Sequence, residues 1–146
     1  MREVSLKGDI VFDTSIIIEI ALATTYGKEL IRSIIDGNIT PYTTMLNITE
    51  ARYILCRLLG IDDSLKRIRL ILDSNYFITV NTDELSDLVS MCKCRFPVSL
   101  VDCHTLSLAK MMSLPALFYR LEKEFRSIIR ELEEWIGNEI LFLVEV

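Results

Sequence analysis

The sequence has few of the residues on which several common functional motifs depend. It contains one histidine, no glutamine and five glycines, and its 16 basic residues are outnumbered by 21 acidic ones. No Gly-x-Gly-x-x-Gly follows the first apolar run, which argues against dinucleotide binding. The formal net charge of -5 excludes a broad basic surface for nucleic acid. Any nucleic acid must therefore be held by local basic residues.

Long apolar runs are also absent, although hydrophobic residues make up 51% of the chain. The longest candidate, Ile16 to Ala23, is interrupted by Glu19 and is shorter than the roughly 18 residues that a membrane span requires. Met1 to Asp9 lacks the apolar core and the cleavage site of a signal peptide. We therefore expect a cytoplasmic protein without a membrane segment, folded as a single domain over residues 1–146.

The four cysteines have no Cys-x-x-Cys spacing, and only His104 could join them in a zinc site. A structural zinc site therefore has weak support, and we expect reduced, mostly buried thiols at Cys56, Cys92, Cys94 and Cys103. The absence of glutamine is a feature of some thermophilic proteins, in which intracellular disulfides occur, so a disulfide stays open.

Short apolar runs alternate with longer amphipathic stretches, which predicts an α/β fold with helices packed on a central parallel sheet of four to five strands. The predicted strands are Asp9 to Phe12, Ile39 to Tyr42, Tyr76 to Val80, Ala116 to Tyr119 and Ile140 to Val144. Helices are predicted near residues 15–24, 27–36, 44–59, 62–73, 82–94, 100–113 and 122–136.

Four acidic residues fall at one edge of this predicted sheet. Parallel strands run one way and their helices run back, so each helix begins at the carboxyl edge of the strands. Asp13 ends the first strand, Glu50 lies early in the helix after the second strand, and Asp102 lies in the first turn of a later helix. Glu122 follows the fourth strand. These acids converge where open α/β sheets place their sites.

Each acid also has a structural explanation, because Asn47 to Glu50 and Ser99 to Asp102 both fit an N-terminal capping box. Together, however, four like charges repel unless a cation or protons neutralise them. Oxygen ligands without imidazole or thiolate favour Mg²⁺ or Mn²⁺ over zinc. His104 lies two residues beyond Asp102 and points away from it on a helix, so we expect a packed or capping histidine.

In this order, the acid-bearing segments resemble those of the PIN-domain ribonucleases, in particular the VapC toxins of VapBC toxin-antitoxin pairs. The resemblance spans nearly the whole chain. It rests on Ile10-Val11-Phe12-Asp13-Thr14-Ser15, on Thr49-Glu50-Ala51-Arg52-Tyr53, on Ser99-Leu100-Val101-Asp102 with Leu106, Leu108 and Ala109, and on Ala116-Leu117-Phe118 followed by Glu122 and Phe125. One departure concerns the fourth acid, which is usually an Asp two places after a small hydroxyl residue, whereas Arg120 stands there.

The resemblance implies a three-layer α/β/α fold and metal-dependent hydrolysis of RNA, with Mg²⁺ or Mn²⁺ held by Asp13, Glu50, Asp102 and Glu122. Glu124 is an alternative to Glu122. Thr14 and Ser99 would support the carboxylates, and Ser99 could equally be a plain helix cap. Arg52 and Arg120 could contact RNA phosphates or simply face solvent.

An antitoxin protein and a homodimer formed through helical surfaces near residues 27–73 are the implied partners. The alternative function is a catalytically inactive PIN-like module that binds a protein. Two other α/β classes fit less well. A haloacid-dehalogenase phosphatase needs Asp-x-Asp, but position 15 is Ser. A receiver domain needs its acceptor Asp at the end of the third strand, where Asp83 is a poor candidate.

Overall fold

A computed structural model describes residues 6–144 of the chain. The first five residues, on which the expected absence of a signal peptide partly rests, lie outside the described residues. Within this range no helix has both the length and the apolarity needed to cross a bilayer. The elements follow one another as β1 (Gly8–Phe12), α1 (Thr14–Ala21), α2 (Thr25–Ile35), β2 (Ile39–Thr44), α3 (Met45–Leu59), α4 (Ile61–Asp73), β3 (Ile78–Val80), a 3₁₀ turn (Thr82–Leu85), α5 (Ser86–Arg95), α6 (Leu100–Met112), β4 (Ala116–Arg120), α7 (Lys123–Arg126), α8 (Ile129–Ile136) and β5 (Ile140–Val144).

The five strands form one parallel sheet in the order β3-β2-β1-β4-β5. Strand β1 is central, and Ile10, Val11 and Phe12 are each at most 1% exposed. A strand buried on both faces reads as a continuous apolar run, which is why β1 was recognisable in the sequence. The predicted parallel α/β sheet is therefore confirmed, with five strands.

Helices cover both faces of this sheet. Ile10 and Phe12 pack with α1, α2, α3 and α4, whereas Val11 packs on the opposite side with α5, α6 and α8. This alternation follows from the two-residue period of a strand. Truncating Phe12 to alanine would cost about 3–5 kcal/mol of stability. The three-layer α/β/α architecture is confirmed.

Three of the helices that follow strands or loops begin with a capping side chain at the carboxyl edge of the sheet. Asp13 caps α1, Thr44 caps α3 by accepting a hydrogen bond from the Asn47 amide at 3.1 Å, and Ser99 caps α6. The expected cap at Ser99 is confirmed, but the capping box predicted from Asn47 to Glu50 is wrong. Helix α3 has already begun at Met45, so Asn47 lies inside its first turn.

Some predicted boundaries also differ from the structure. Strand β3 is only Ile78–Val80, and the segment predicted as one helix over 82–94 is a 3₁₀ turn followed by α5. The helix predicted over 122–136 is two helices, α7 and α8, separated near Ser127. The interruption lets Phe125 meet Phe118 of β4, with ring centroids 5.0 Å apart.

All four cysteines are free thiols. Cys92 and Cys103 are buried, Cys56 is partly buried and Cys94 is exposed, so burial is less general than expected. The Cys92 thiol donates a hydrogen bond to Cys103, and this bond together with burial raises the pKa of Cys92 above its ordinary value.

Candidate metal centre

Asp13 is the most buried of the four candidate acids, at 6% exposure. Its Oδ2 accepts hydrogen bonds from the Ser15 amide at 3.1 Å and from the Ser15 hydroxyl at 2.7 Å, and its Oδ1 accepts from Thr105 Oγ1 at 3.0 Å. Burial raises the pKa of Asp13, and these hydrogen bonds oppose the rise. The carboxylate is therefore held in one orientation, in a place where negative charge is costly.

Asn47 organises the polar groups beneath Asp13. Its side-chain amide donates to Thr105 Oγ1 at 2.9 Å and to Thr14 Oγ1 at 3.0 Å, and its Oδ1 accepts from the Thr44 hydroxyl. Asn47, Thr44 and Thr105 are fully buried. Because buried polar groups are costly unless they are paired, this network fixes α1, α3 and α6 relative to one another. Thr105 belongs to this network and donates a hydrogen bond to Asp13, so the network also restrains the Asp13 carboxylate.

Asp102 lies in the first turn of α6, where its amide donates to Ser99 Oγ at 3.0 Å. Burial, and then the negative charges of Asp13 and Glu50, raise the pKa of Asp102 to about 7. A hydrogen bond from Ser99 opposes this rise. Asp102 is thus close enough to both other acids to feel their charges.

Glu50 is partly buried in the second turn of α3. Burial raises the pKa of Glu50, the nearby Thr14 hydroxyl lowers it, and the charge of Asp13 raises it further. The structure therefore brings Asp13, Glu50 and Asp102 together, as the topology predicted. The Thr14 hydroxyl donates to the Asn47 carbonyl at 3.4 Å, so the support of Glu50 by Thr14 stays a prediction. Ser99 accepts its capping bond from the Asp102 amide.

Glu122 and Glu124 approach from the other side of a cleft of about 390 Å³. The cleft is lined by both glutamates together with Asp13, Asp102 and Arg120. Both glutamate side chains are exposed, and Glu122 makes no capping hydrogen bond at the start of α7. The geometry leaves either one available as the fourth acid.

The donor set fits a hard divalent cation that keeps part of its water shell. Among residues 6–144, no three His, Cys, Asp or Glu side chains are close enough to ligate one ion together. Mg²⁺ does not need such a cage, because it usually keeps several waters and is held by one or two carboxylates. Two acids with raised pKa values around Asp13 indicate a place where a cation would relieve repulsion.

Comparison with known proteins identifies the family. The model of the PIN domain family matches residues 10–133, which include every candidate acid. The chain belongs to the PIN domain family. PIN domains are typically nucleases. A search of curated protein sequences finds no significant match.

Several solved structures, two of which are described as containing a toxin, share the fold of this PIN domain. A toxin-antitoxin complex from Klebsiella pneumoniae matches with a TM-score of 0.62 at 18% identity, over 82% of this chain and 92% of that one. The Mycobacterium tuberculosis toxin VapC20, described as cleaving the sarcin-ricin loop, matches with a TM-score of 0.63 at 16% identity, over 81% of this chain and 93% of that one. FitAcB from Neisseria gonorrhoeae matches with a TM-score of 0.58 at 16% identity, over 90% of this chain and 96% of that one. At these identities the likeness establishes the fold.

The remaining polar candidates of the PIN domain have different surroundings. His104 is buried, and its Nδ1 donates to the Leu100 carbonyl at 2.8 Å, so it is a packed histidine as expected. Arg120 lines the cleft with its guanidinium 5.0 Å from the centroid of the Tyr119 ring. Arg52 is partly buried, and its Nε has no hydrogen-bond partner among the described residues.

Three residues that support the site were not identified from the sequence. Asn47 was interpreted as a helix cap, and neither Thr105 nor Ser15 was assigned a supporting role. A signal existed for Thr105, since it is a polar residue inside the continuously buried run from Cys103 to Ala109. Buried hydroxyl groups need partners, and this one has Asp13.

Proposed function

We propose that this PIN domain is a metal-dependent ribonuclease and the toxin of a toxin-antitoxin pair. The observation that carries the proposal is the mutual proximity of Asp13, Glu50 and Asp102 at the cleft. Burial, and then the charges of Asp13 and Glu50, raise the pKa of Asp102 to about 7. Perturbed acids in a cleft are a common mark of a functional site. Membership of the PIN domain family supports the reaction class.

In the proposed site, Asp13 and Asp102 are the direct ligands of Mg²⁺ or Mn²⁺. Glu50 binds the ion directly or through water, and Glu122 or Glu124 completes an outer position. The bound ion supplies a water of lowered pKa and neutralises charge on the scissile phosphate. Ser15 and Thr105 hold both oxygens of Asp13 in place. Arg120 lies in the same cleft, where it can contact a phosphate.

The pKa of Asp102 gives the proposed site a pH dependence. A carboxylate must be deprotonated to ligate a cation, so metal binding competes with its proton. With a pKa of about 7 in the metal-free protein, Asp102 releases a proton when the ion binds near neutral pH. Metal affinity is therefore expected to fall as the pH drops below about 7.

An antitoxin protein is the proposed regulator of the nuclease. One solved structure with this fold is described as a toxin-antitoxin complex. Two others are described as FitAcB and as FitAB bound to a DNA fragment. We also propose that the chain forms a homodimer. A groove of about 570 Å³ lies between α2 and α4, and it is lined by apolar side chains that include Ile31, Ile34 and Leu70. Leu70 is 73% exposed.

The test is cleavage of single-stranded RNA in Mn²⁺ by variants that keep side-chain shape and remove charge. Asp13→Asn and Asp102→Asn should each lose activity by about 10²-fold or more, the size of direct electrostatic contributions in active sites. Glu122→Gln should keep partial activity, and comparison with Glu124→Gln identifies the fourth acid.

The matched control is Asp87→Asn, which changes an exposed aspartate in the first turn of α5. It should cleave as the parent protein does, and circular dichroism should show that every variant is folded. If Asp102→Asn cleaved RNA as fast as the parent, the assignment of Asp102 to the active site would be wrong. If the parent protein itself did not cleave RNA in Mn²⁺, the catalytically inactive protein-binding module would take the place of the nuclease.

A further inference from the structure

Among residues 6–144, four basic side chains lie over aromatic rings, but the rings differ in exposure. Arg95 lies over Phe96 and Lys110 over Trp135, and these rings are only 3% and 8% exposed. Arg57 Cζ lies 5.1 Å from the centroid of Tyr53, whose side chain is 46% exposed. A buried ring cannot receive a ligand. Tyr53 is covered on one side by Arg57 and still presents nearly half of its surface to solvent.

The Tyr53–Arg57 pair lies on helix α3, on the same side of the helix as Glu50. Glu50, Tyr53 and Arg57 are spaced by three and four residues, which places them on one stripe of the helix. The Tyr53 side chain lies close enough to Glu50 to lower the pKa of that carboxyl, against the larger effect of burial, which raises it. The pair therefore begins one helical turn from an acid that feels the charge of Asp13.

A second pair of the same composition lies on the other side of Asp13. Strands β2 and β4 flank β1, so α3 and the end of β4 approach Asp13 from opposite sides. The Tyr119 amide donates to Ser15 Oγ at 3.1 Å, and that hydroxyl donates to Asp13. Arg120 lies over Tyr119. Each side of the acids thus carries a tyrosine covered by an arginine.

The chemistry of these pairs suits single-stranded RNA. Unstacked bases pack on exposed aromatic rings, and arginine neutralises the adjacent phosphates. Because the whole chain carries a net charge of -5, attraction for RNA must come from such local groups. Tyrosine and arginine also anchor protein interfaces, but this pair lies one helical turn from a candidate metal ligand, which favours a role in binding substrate.

We propose that Tyr53 and Arg57 bind a nucleotide of the single-stranded RNA substrate beside the scissile phosphate, with its base on the free face of Tyr53 and its phosphate at Arg57. The proposal rests on the proposed nuclease function. Tyr53 and Arg57 are positioning residues, since neither is placed at the reacting atoms. Tyr119 and Arg120 hold the strand on the opposite side of the acids.

The experiment measures binding of a fluorescein-labelled single-stranded oligoribonucleotide of about eight nucleotides by fluorescence anisotropy. Ca²⁺ replaces Mn²⁺ as a cation for carboxylate oxygens, and gel electrophoresis checks that the RNA stays intact. Tyr53→Ala should raise Kd by about tenfold or more, as expected when one base loses its stacking partner. Tyr53→Phe keeps the ring and should bind nearly as the parent does.

Arg57→Ala should weaken binding and reduce the slope of log K against log salt by about one unit, the signature of one lost phosphate contact. Matched controls are Met91→Ala, which removes a large side chain exposed to 55% on α5, and Arg69→Ala on α4. Neither should change RNA affinity. In cleavage assays with Mn²⁺, Tyr53→Ala should raise KM far more than it lowers kcat.

The possible results separate this proposal from the proposed function. If the parent protein cleaves RNA and Tyr53→Ala binds and cleaves it equally well, the nucleotide site is overturned while the nuclease stands. If Tyr53→Ala changes sedimentation but not RNA affinity, the pair belongs to a protein interface and the proposal is again overturned. If the parent neither binds nor cleaves RNA, both proposals fail.

Discussion

Replacing Asp102 with asparagine should stabilise the metal-free protein at alkaline pH and not at acidic pH. The folded protein holds the proton of Asp102 up to about pH 7, whereas the unfolded chain releases it near pH 3.8. Between these values the folded state binds more protons, so stability falls as pH rises from about 4 to about 7 and stays lower above that. Asparagine does not ionise, so the substitution removes the contribution of residue 102 to the pH dependence of the free energy of unfolding.

The size of the effect follows from the same pKa difference. About three pKa units correspond to about 4 kcal/mol, which is an upper limit because solvent screens a partly exposed carboxylate. Removing a negative charge from the first turn of α6 costs about 0.3–1 kcal/mol through the helix dipole. The variant should therefore gain about 1–3 kcal/mol over the parent at pH 8 in EDTA. At pH 4 the gain should vanish or reverse slightly.

Urea unfolding followed by circular dichroism at both pH values measures this difference directly. Asp87→Asn is the control, since it removes a first-turn charge from α5 without touching the acid cluster. Mn²⁺ should then stabilise the parent at pH 8, by about 2.7 kcal/mol at a concentration of 100 times Kd, and stabilise Asp102→Asn much less. Calorimetry should show the corresponding heat of binding.

An Asp102→Asn variant that gained the same stability at pH 4 and pH 8 would refute the argument, because the gain would then owe nothing to ionisation. An unchanged melting temperature of the parent in millimolar Mn²⁺, with no heat of binding, would count against the metal site itself.

Two further predictions concern the scaffold of the site and the assembly of the chain. Asn47→Ala should lower the free energy of unfolding by about 3 kcal/mol, since it removes the three buried hydrogen bonds that the Asn47 side chain makes with the hydroxyls of Thr14, Thr44 and Thr105. It should also slow RNA cleavage, because Thr105 then holds Asp13 less firmly. Urea unfolding and cleavage assays measure the two effects. Sedimentation velocity at micromolar concentration should show a dimer of the 16.8 kDa chain that Leu70→Glu converts to a monomer. A parent protein that sediments as a monomer would contradict the homodimer.

The strands and the positions of the acids were predictable because local sequence determines them. A strand buried on both faces must be apolar throughout, so Ile10, Val11 and Phe12 mark β1 and place Asp13 at its end. The direction of a parallel sheet then assigns Glu50 and Asp102 to the same edge without any knowledge of their side-chain contacts. The prediction of their proximity needed only element order.

The interruption between α7 and α8 was not predictable in the same way. Phe125, Ile128, Leu132 and Trp135 are spaced as on one continuous helix, so periodicity favours a single element over 122–136. The chain instead breaks near Ser127, and Phe125 packs edge-on against Phe118 of β4. That packing contact between α7 and the neighbouring strand β4 is tertiary, and it outweighs the local preference for one continuous helix.

The supporting network escaped prediction for a related reason. Asn47 and Thr105 are 58 residues apart, and Thr105 and Asp13 are 92 apart, so no local pattern connects them. Asn47 three residues before Glu50 matches a capping box, and only the presence of Thr44 at the true helix start rules that interpretation out. Because Asn47 is buried, its side-chain amide does not cap a helix at the surface but bonds the hydroxyls of Thr14, Thr44 and Thr105.

Helix α6 shows why the site is held by polar groups in a place where apolar packing would be more stable. Its residues Cys103 to Ala109 are all buried, and among them Thr105 and Ser107 carry hydroxyl groups. Thr105 is paired through Asn47 and Asp13, whereas Ser107 Oγ has no partner among the described residues. An apolar side chain at 105 would avoid the cost of burying a hydroxyl, but it would leave Asp13 Oδ1 without its donor. The hydroxyl therefore orients one carboxylate, and in the proposed site that orientation would decide whether Asp13 and Asp102 can share a cation.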